Sequence, residues 1–521
     1  MTKATVTTIV ALMMIQTLTA APFKRGVGCW RSVRAQAQAT ARILNRQEAD
    51  SPKQTPYKGQ KRGLVILAEF TDAKFKSGHD RQKYNDILNT PGYTTQEGFR
   101  GSVADYFRDQ SDGQFELVFD VVGPYPTKRS YKYYGENDAA GQDKRPEEMV
   151  IEMCRAADDE VNFNDYDWDG DGEVDEVFVV YAGKGEADTE KEDCIWPHMW
   201  ALDEAGKRLV LDGCKINTYA CANEIDASSK INGIGTFCHE FSHCLGLPDF
   251  YDITYSGEFG MGDFDLMAGG NYNGNGFCPP CFTAYEKMVC GWQQPIVLGA
   301  EDMTIDSLKP MSQNGDFYII YNDGHPDEYY LIENRQKTGW DESYPARGLL
   351  ITHVDYDEEV WLNNIPNSIL TQEEAEEMEL TVGNTHQRMT LFHADNDDDS
   401  KYYSQISGYY RKTTLSTDLY PYLKHDSLTT TSKPAATLFN DNALGTKLMQ
   451  GAILDISHNS DGTMNFTYRA PKPQEADAIR HVNATRKPSG MIYTLDGRTA
   501  GTDLQSLRHG IYVVDGKKIV R

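Results

Sequence analysis

Apolar positions along the chain follow two rhythms, unbroken runs and helical spacing, which alternate through residues 63–295 and then give way to strands and turns. Gly63–Phe70 is a short continuous apolar run of the kind a buried strand presents. Arg81–Asn89 and Ser102–Arg108 carry helical spacing, and Phe115–Val122 reads as a second strand. In 146–161, Met149, Val150, Met153 and Ala157 share one side of a helix. Val177–Gly183 is another apolar strand, with shorter ones expected at Arg208–Leu211 and Ile216–Ala220. This alternation predicts a layered α/β (α+β) domain over 63–295. Beyond Trp292 the expected strands are Phe317–Tyr321, Tyr329–Glu333, Gly348–Val354, Met389–His393, Ile453–His458 and Met464–Arg469, which predict a β-rich domain over 296–470. Acidic runs at Glu373–Glu379 and Asp395–Asp399 read as exposed insertions. Pro471-Lys472-Pro473 is linker-like, and 478–521 reads as a small module of two hairpins turning at Asp496-Gly497 and Asp515-Gly516.

The two ends differ in kind from the middle. Lys3, the apolar stretch Val6–Leu18 and the small pair Ala20-Ala21 predict a signal peptide over 1–20, too short and broken to span a membrane. Residues 21–62 hold ten Lys or Arg against Glu48 and Asp50, on a chain whose formal net charge is −27. A pro-segment docked by charge and a disordered linker both fit that contrast, with Lys61-Arg62 as a processing site. So acidic a body argues against nucleic-acid binding through phosphate neutralisation. Ten cysteines in an exported chain permit disulfides without revealing the pairing.

The chemistry concentrates in Gly235–Asp249, which reads H-E-x-x-H-x-x-G-x-x-D. His239 and His243 stand four apart, so one helix face offers both imidazoles to one metal. Glu240 sits about 100° round the axis, where it can act as the general base on a water that zinc activates. Gly246 permits the left-handed residue that ends a helix and Pro248 forbids its continuation, so Asp249 can return as the third ligand. Three protein ligands leave a position open, the layout of catalytic zinc. Further along, Met267 within Gly262–Gly270 is expected in the tight turn beneath a metzincin-like metal site.

A second cation site is expected at Asp165–Glu176. Counted from Asp167, carboxylates fall at the first, third, fifth and ninth positions of a calcium loop (Asp167, Asp169, Asp171, Asp175), with Gly172 at the sixth. The closing Glu is missing in that frame, leaving Glu176 or another segment to complete the shell. A solvated acidic turn is the alternative reading, although so many carboxylates repel without a cation.

With the zinc motif followed by Pro248-Asp249-Phe250-Tyr251-Asp252, the chain resembles the immune inhibitor A family of secreted metallopeptidases, over roughly residues 60–360. Trp196-Pro-His198-Met-Trp200, Glu333–Gln336 and Gly339–Asp341 carry the same resemblance. It implies a zinc endopeptidase acting on proteins or peptides, secreted or attached to the cell surface. Residues 491–498 and 507–518 resemble a type IX secretion sorting domain, which implies the secretion machinery as a partner. The rival is a catalytically weak adhesin or binding protein on a peptidase scaffold, whose mark would be a lost Glu240. Cys29, alone among the leader's residues in carrying a thiol, is a latency candidate that could ligate zinc and displace water.

Overall fold

In the computed structural model, the described residues are 57–138, 141–189, 191–378, 380–398, 414–472 and the strand residues of the C-terminal module. The expected signal peptide, most of the leader and Cys29 lie outside them. The described chain up to Ala470 forms one compact unit, and Pro471–Arg521 a second.

The first unit is built on a five-stranded sheet. Its strands are β1 (Gly59–Glu69), β2 (Phe115–Pro126), β3 (Val177–Lys184), β4 (His198–Ala201) and β5 (Thr218–Ile225), in the order β2-β1-β3-β5-β4. All pair in parallel except β4, which runs antiparallel to β5 at the edge. The continuous apolar runs are explained by burial on both faces. Val65 and Leu67 of β1 enter one core, while Leu64, Ile66 and Ala68 enter another. Phe178 and Val180 of β3 divide from Val177, Val179 and Tyr181 in the same way.

Helices cover both faces. Pro146–Ala157 buries Met149, Val150 and Met153 in the second core. Val103–Gln110, opened by a capping box at Ser102, puts Val103, Tyr106 and Phe107 into the first. The helix expected at Arg81–Asn89 has those bounds, with Asp80 as its N-cap. Of the shorter strands, the one expected over 216–220 is divided: Cys214–Ile216 pairs in a small sheet and β5 starts at Thr218.

Downstream, a second five-stranded sheet contains β6 (Ile296–Val297), β7 (Tyr318–Tyr321), β8 (Glu328–Arg335), β9 (Gly348–Asp355) and β10 (Met389–Leu391). Ile320, Tyr330, Ile332 and Ile351 face a core shared with Ile453 and Phe466 of a three-stranded sheet. Their neighbours Ile319, Leu331 and Leu350 join the core that holds Phe237 and Phe241. One apolar core therefore runs from the first sheet into the second.

The C-terminal module is a four-stranded antiparallel sheet of Ile492–Thr494, Thr499–Gly501, Ile511–Val514 and Lys517–Val520. No helix among the described residues is long and apolar enough to cross a membrane.

Candidate active site

The helix Gly235–Cys244 has no side-chain cap at Ile234; apolar burial holds it. Phe237 stacks on Phe178 of β3 at 3.8 Å between centroids, and Phe241 meets Phe107 at 4.9 Å. This packing fixes which face turns away from the sheet, and there His239 and His243 set their rings 4.8 Å apart. Their Nδ1 atoms lie 2.9 Å from Leu266 O and 2.8 Å from Leu247 O. A carbonyl only accepts, so each Nδ1 carries the proton and each Nε2 keeps a lone pair.

Gly246, at φ 86°, breaks the helix in the left-handed region. The chain then doubles back, bringing Asp249 Oδ1 to 3.2 Å from His239 Nε2 and 3.4 Å from His243 Nε2. All three side chains are buried. Asp249 Oδ1 is a buried oxygen with no hydrogen-bond donor, facing two nitrogens that also present lone pairs. Three electron-pair donors cannot be left unpaired in a dry site at low cost, and a cation resolves all three at once. Two imidazole nitrogens and a carboxylate oxygen suit zinc.

Glu240 is 6% exposed. Burial pushes its carboxyl up to about 8, with the charge of Asp249 adding to the rise. The backbone of Met199, in edge strand β4, hydrogen-bonds it. Met267 is fully buried in a turn: its N–H donates to Asp265 Oδ1 at 2.7 Å and its carbonyl accepts from Phe250 N at 2.7 Å. That turn also supplies Leu266 O to His239.

Below the turn lies a buried ionic cluster that sequence reading did not find. Arg335, at the end of β8, donates to Glu333 at 3.1 Å, Asp341 at 2.8 Å and Cys281 O at 2.9 Å, over the ring of Tyr344. Tyr344 Oη donates to Phe264 O and the nearby Thr283 Oγ1 to Asp265, so the residues that lead into the turn are anchored here. The segments Glu333–Gln336 and Gly339–Asp341, noted for their resemblance, thus meet the site from the second sheet.

The acidic loop brings together oxygens of Asp167, Asp169 and Asp175, all within 4.8 Å of one another; Asp171 is not among them. Asp171 Oδ1 instead accepts from Glu173 N at 2.8 Å. Glu176 does not close the loop either: it is buried beside the Cys244 thiol. Burial, then the charges of Asp169, Asp167 and Asp171, push the Asp175 carboxyl up to about 7. His198 is a packed residue, 3.0 Å from Tyr219 Oη and 2.6 Å from Trp196 O, and burial pushes it down to about 4. Nine of the ten cysteines are described, and all nine are buried.

Residues 53–294 match the family described as immune inhibitor A peptidase M6, catalytic domain. The match includes His239, Glu240, His243, Asp249, Met267 and the acidic loop, and ends before the second sheet. Immune inhibitor A of Bacillus thuringiensis subsp. alesti is 27% identical over 299 residues, 47% of this chain and 42% of that protein. Pre-pro-metalloprotease PrtV of Vibrio cholerae serotype O1 is 28% identical over 280 residues, 44% of this chain and 30% of that protein. The chain spans less than half the length of these curated relatives.

Proposed function

We propose that this chain is a zinc-dependent endopeptidase, exported from the cell, that hydrolyses protein substrates with Glu240 as general base. The observation that carries the reading is the convergence of His239 Nε2, His243 Nε2 and the unpartnered Asp249 Oδ1 in one buried spot. When bound, zinc supplies Lewis acidity that makes a scissile carbonyl electrophilic and water nucleophilic near neutral pH. The two histidines and Asp249 would hold it. Glu240 accepts the proton of the attacking water and returns it to the leaving amine. The positive charge of zinc would offset the burial that raises the Glu240 carboxyl, keeping it a carboxylate able to act as base.

The edge strand β4 supports an extended substrate. Its backbone reaches Glu240 through Met199, so a peptide added along this edge would carry its scissile bond past the general base. The signal-peptide pattern of residues 1–20 supports export, and the C-terminal module is read as the address for the secretion machinery. Purified protein incubated with casein is expected to cut it, and a zinc chelator to stop the cutting until zinc is restored. Casein left intact by the metal-loaded protein would favour the adhesin reading. Asp249→Ala is expected to weaken zinc more than about 100-fold, beyond the usual cost of losing an outer-shell partner. Stoichiometric zinc in that variant, measured by atomic absorption, would place the third ligand elsewhere.

The loop of Asp167, Asp169 and Asp175 is proposed as a calcium site that stabilises the fold by linkage, by about 2.7 kcal/mol at 100 times Kd. Its pH dependence has a defined sign. Asp175 is raised in the folded state, so without calcium it favours folding while protonated, and that contribution is lost as pH rises through about 7. Calcium competes with the proton. The melting shift it produces should therefore be larger at pH 8 than at pH 6, and an equal or absent shift would reduce the loop to an acidic turn.

A further inference from the structure

Asp249 is gripped from behind by a residue 115 positions later in the chain. Asn364 Nδ2 donates to Asp249 Oδ2 at 2.7 Å, and Asn364 Oδ1 accepts from Asp249 N at 2.6 Å. Two hydrogen bonds between the same pair close a ring, which removes the rotation of the carboxylate about its side-chain torsions. With Oδ2 committed to the amide, Oδ1 is the oxygen left to face the two imidazoles. Asn364 is 2% exposed and stands at φ 57°, a conformation asparagine tolerates better than most residues.

The clamp belongs to a larger docking of one loop on another. Asn367 Nδ2 donates to Phe250 O at 2.9 Å, and Ser368 Oγ accepts from Ile253 N at 2.9 Å. The segment that turns Asp249 back toward the histidines is thus seated on residues 364–368, outside the stretch that matches the peptidase family.

We infer that Asn364 is a positioning residue of the metal centre, presenting Asp249 with one oxygen restrained and the other directed at the site. This rests on reading His239, His243 and Asp249 as zinc ligands. A plain structural tie would stabilise the loop without affecting metal affinity. A positioning residue changes affinity, because an unclamped carboxylate must lose its rotational freedom on binding, and outer-shell partners of this kind typically carry about 10–100-fold in affinity.

The test measures zinc affinity of the full chain by competition with a chromophoric chelator, alongside folding by circular dichroism. Asn364→Gly suits the left-handed backbone and deletes the clamp. Asn364→Asp keeps the volume but sets a carboxylate oxygen against Asp249 Oδ2. Both are expected to weaken zinc about 10–100-fold, while Ser368→Ala, which loosens the same loop without touching Asp249, keeps the parental value. Folded Asn364 variants that bind zinc as the parent does, while Asp249→Ala loses it, would overturn the positioning role alone. Loss of fold in both Asn364 variants would assign the residue to stability and overturn it too. A parent that takes up no zinc would sink the zinc reading and this inference with it; an Asp249→Ala variant that retains zinc would place the third ligand elsewhere and overturn this inference alone.

Discussion

Glu240→Gln is expected to keep its zinc and lose about 10²–10⁴-fold in kcat/KM on an internally quenched peptide. At 1.36 kcal/mol per tenfold, that is about 3–5 kcal/mol of transition-state stabilisation. The substitution preserves volume and can still meet the Met199 backbone, so the helix and the histidine pair have no reason to move. What disappears is a carboxylate able to take a proton from water beside the bound substrate. Among the described residues, neither His198, packed against Tyr219 and Trp196, nor Glu176, beside Cys244 at the end of the same helix, is placed to take over that role. Zinc content by atomic absorption and kcat/KM must be read together. Activity within tenfold of the parent, with zinc retained, would remove Glu240 from the mechanism.

Arg335→Met is expected to cost about 3–5 kcal/mol in urea unfolding, the usual penalty for orphaning buried partners of a charge. Its guanidinium is wholly buried between Glu333, Asp341 and the Tyr344 ring. Burial pushes Glu333 up to about 7 even with Arg335 pulling it down. Removing that counter-charge raises the carboxyl further. A carboxyl with a raised folded pKa contributes stability in its protonated form and loses it as pH rises through that pKa. The deficit against the parent should therefore be larger at pH 8 than at pH 5.5. A deficit under about 1 kcal/mol at pH 8 would show that the cluster is relieved some other way. Since this cluster holds the turn that supplies Leu266 O to His239, weaker zinc retention should accompany the lost stability.

The elements legible in the sequence were those with local causes. Strands β1 and β3 announce themselves as apolar runs because both of their faces are covered. Arg81–Asn89 could be bounded because helical spacing is a short-range pattern. The pairing of His239 with His243 follows from a helical turn, and the turn that lets Asp249 come back is announced by Gly246 and Pro248.

Other features had no local signal. Edge strand β4 lies in a Trp-Pro-His-Met-Trp stretch with no clean alternation; it is a strand because Met199 pairs with Ala220 of β5. Asp171 and Glu176 share the composition of the acidic loop, yet backbone geometry points one to Glu173 N and buries the other. Asn364 and Arg335 are invisible to any short window, since one meets Asp249 across 115 residues and the other meets Cys281 O across 54. The sequence by itself determined the helix Gly235–Cys244 and the order in which the candidate donors appear, because a helical turn and a glycine stop are short-range geometry. Only the tertiary structure decided which oxygen of Asp249 faces the histidines and what supports the turn beneath them, because those depend on a second sheet closing over the same apolar core.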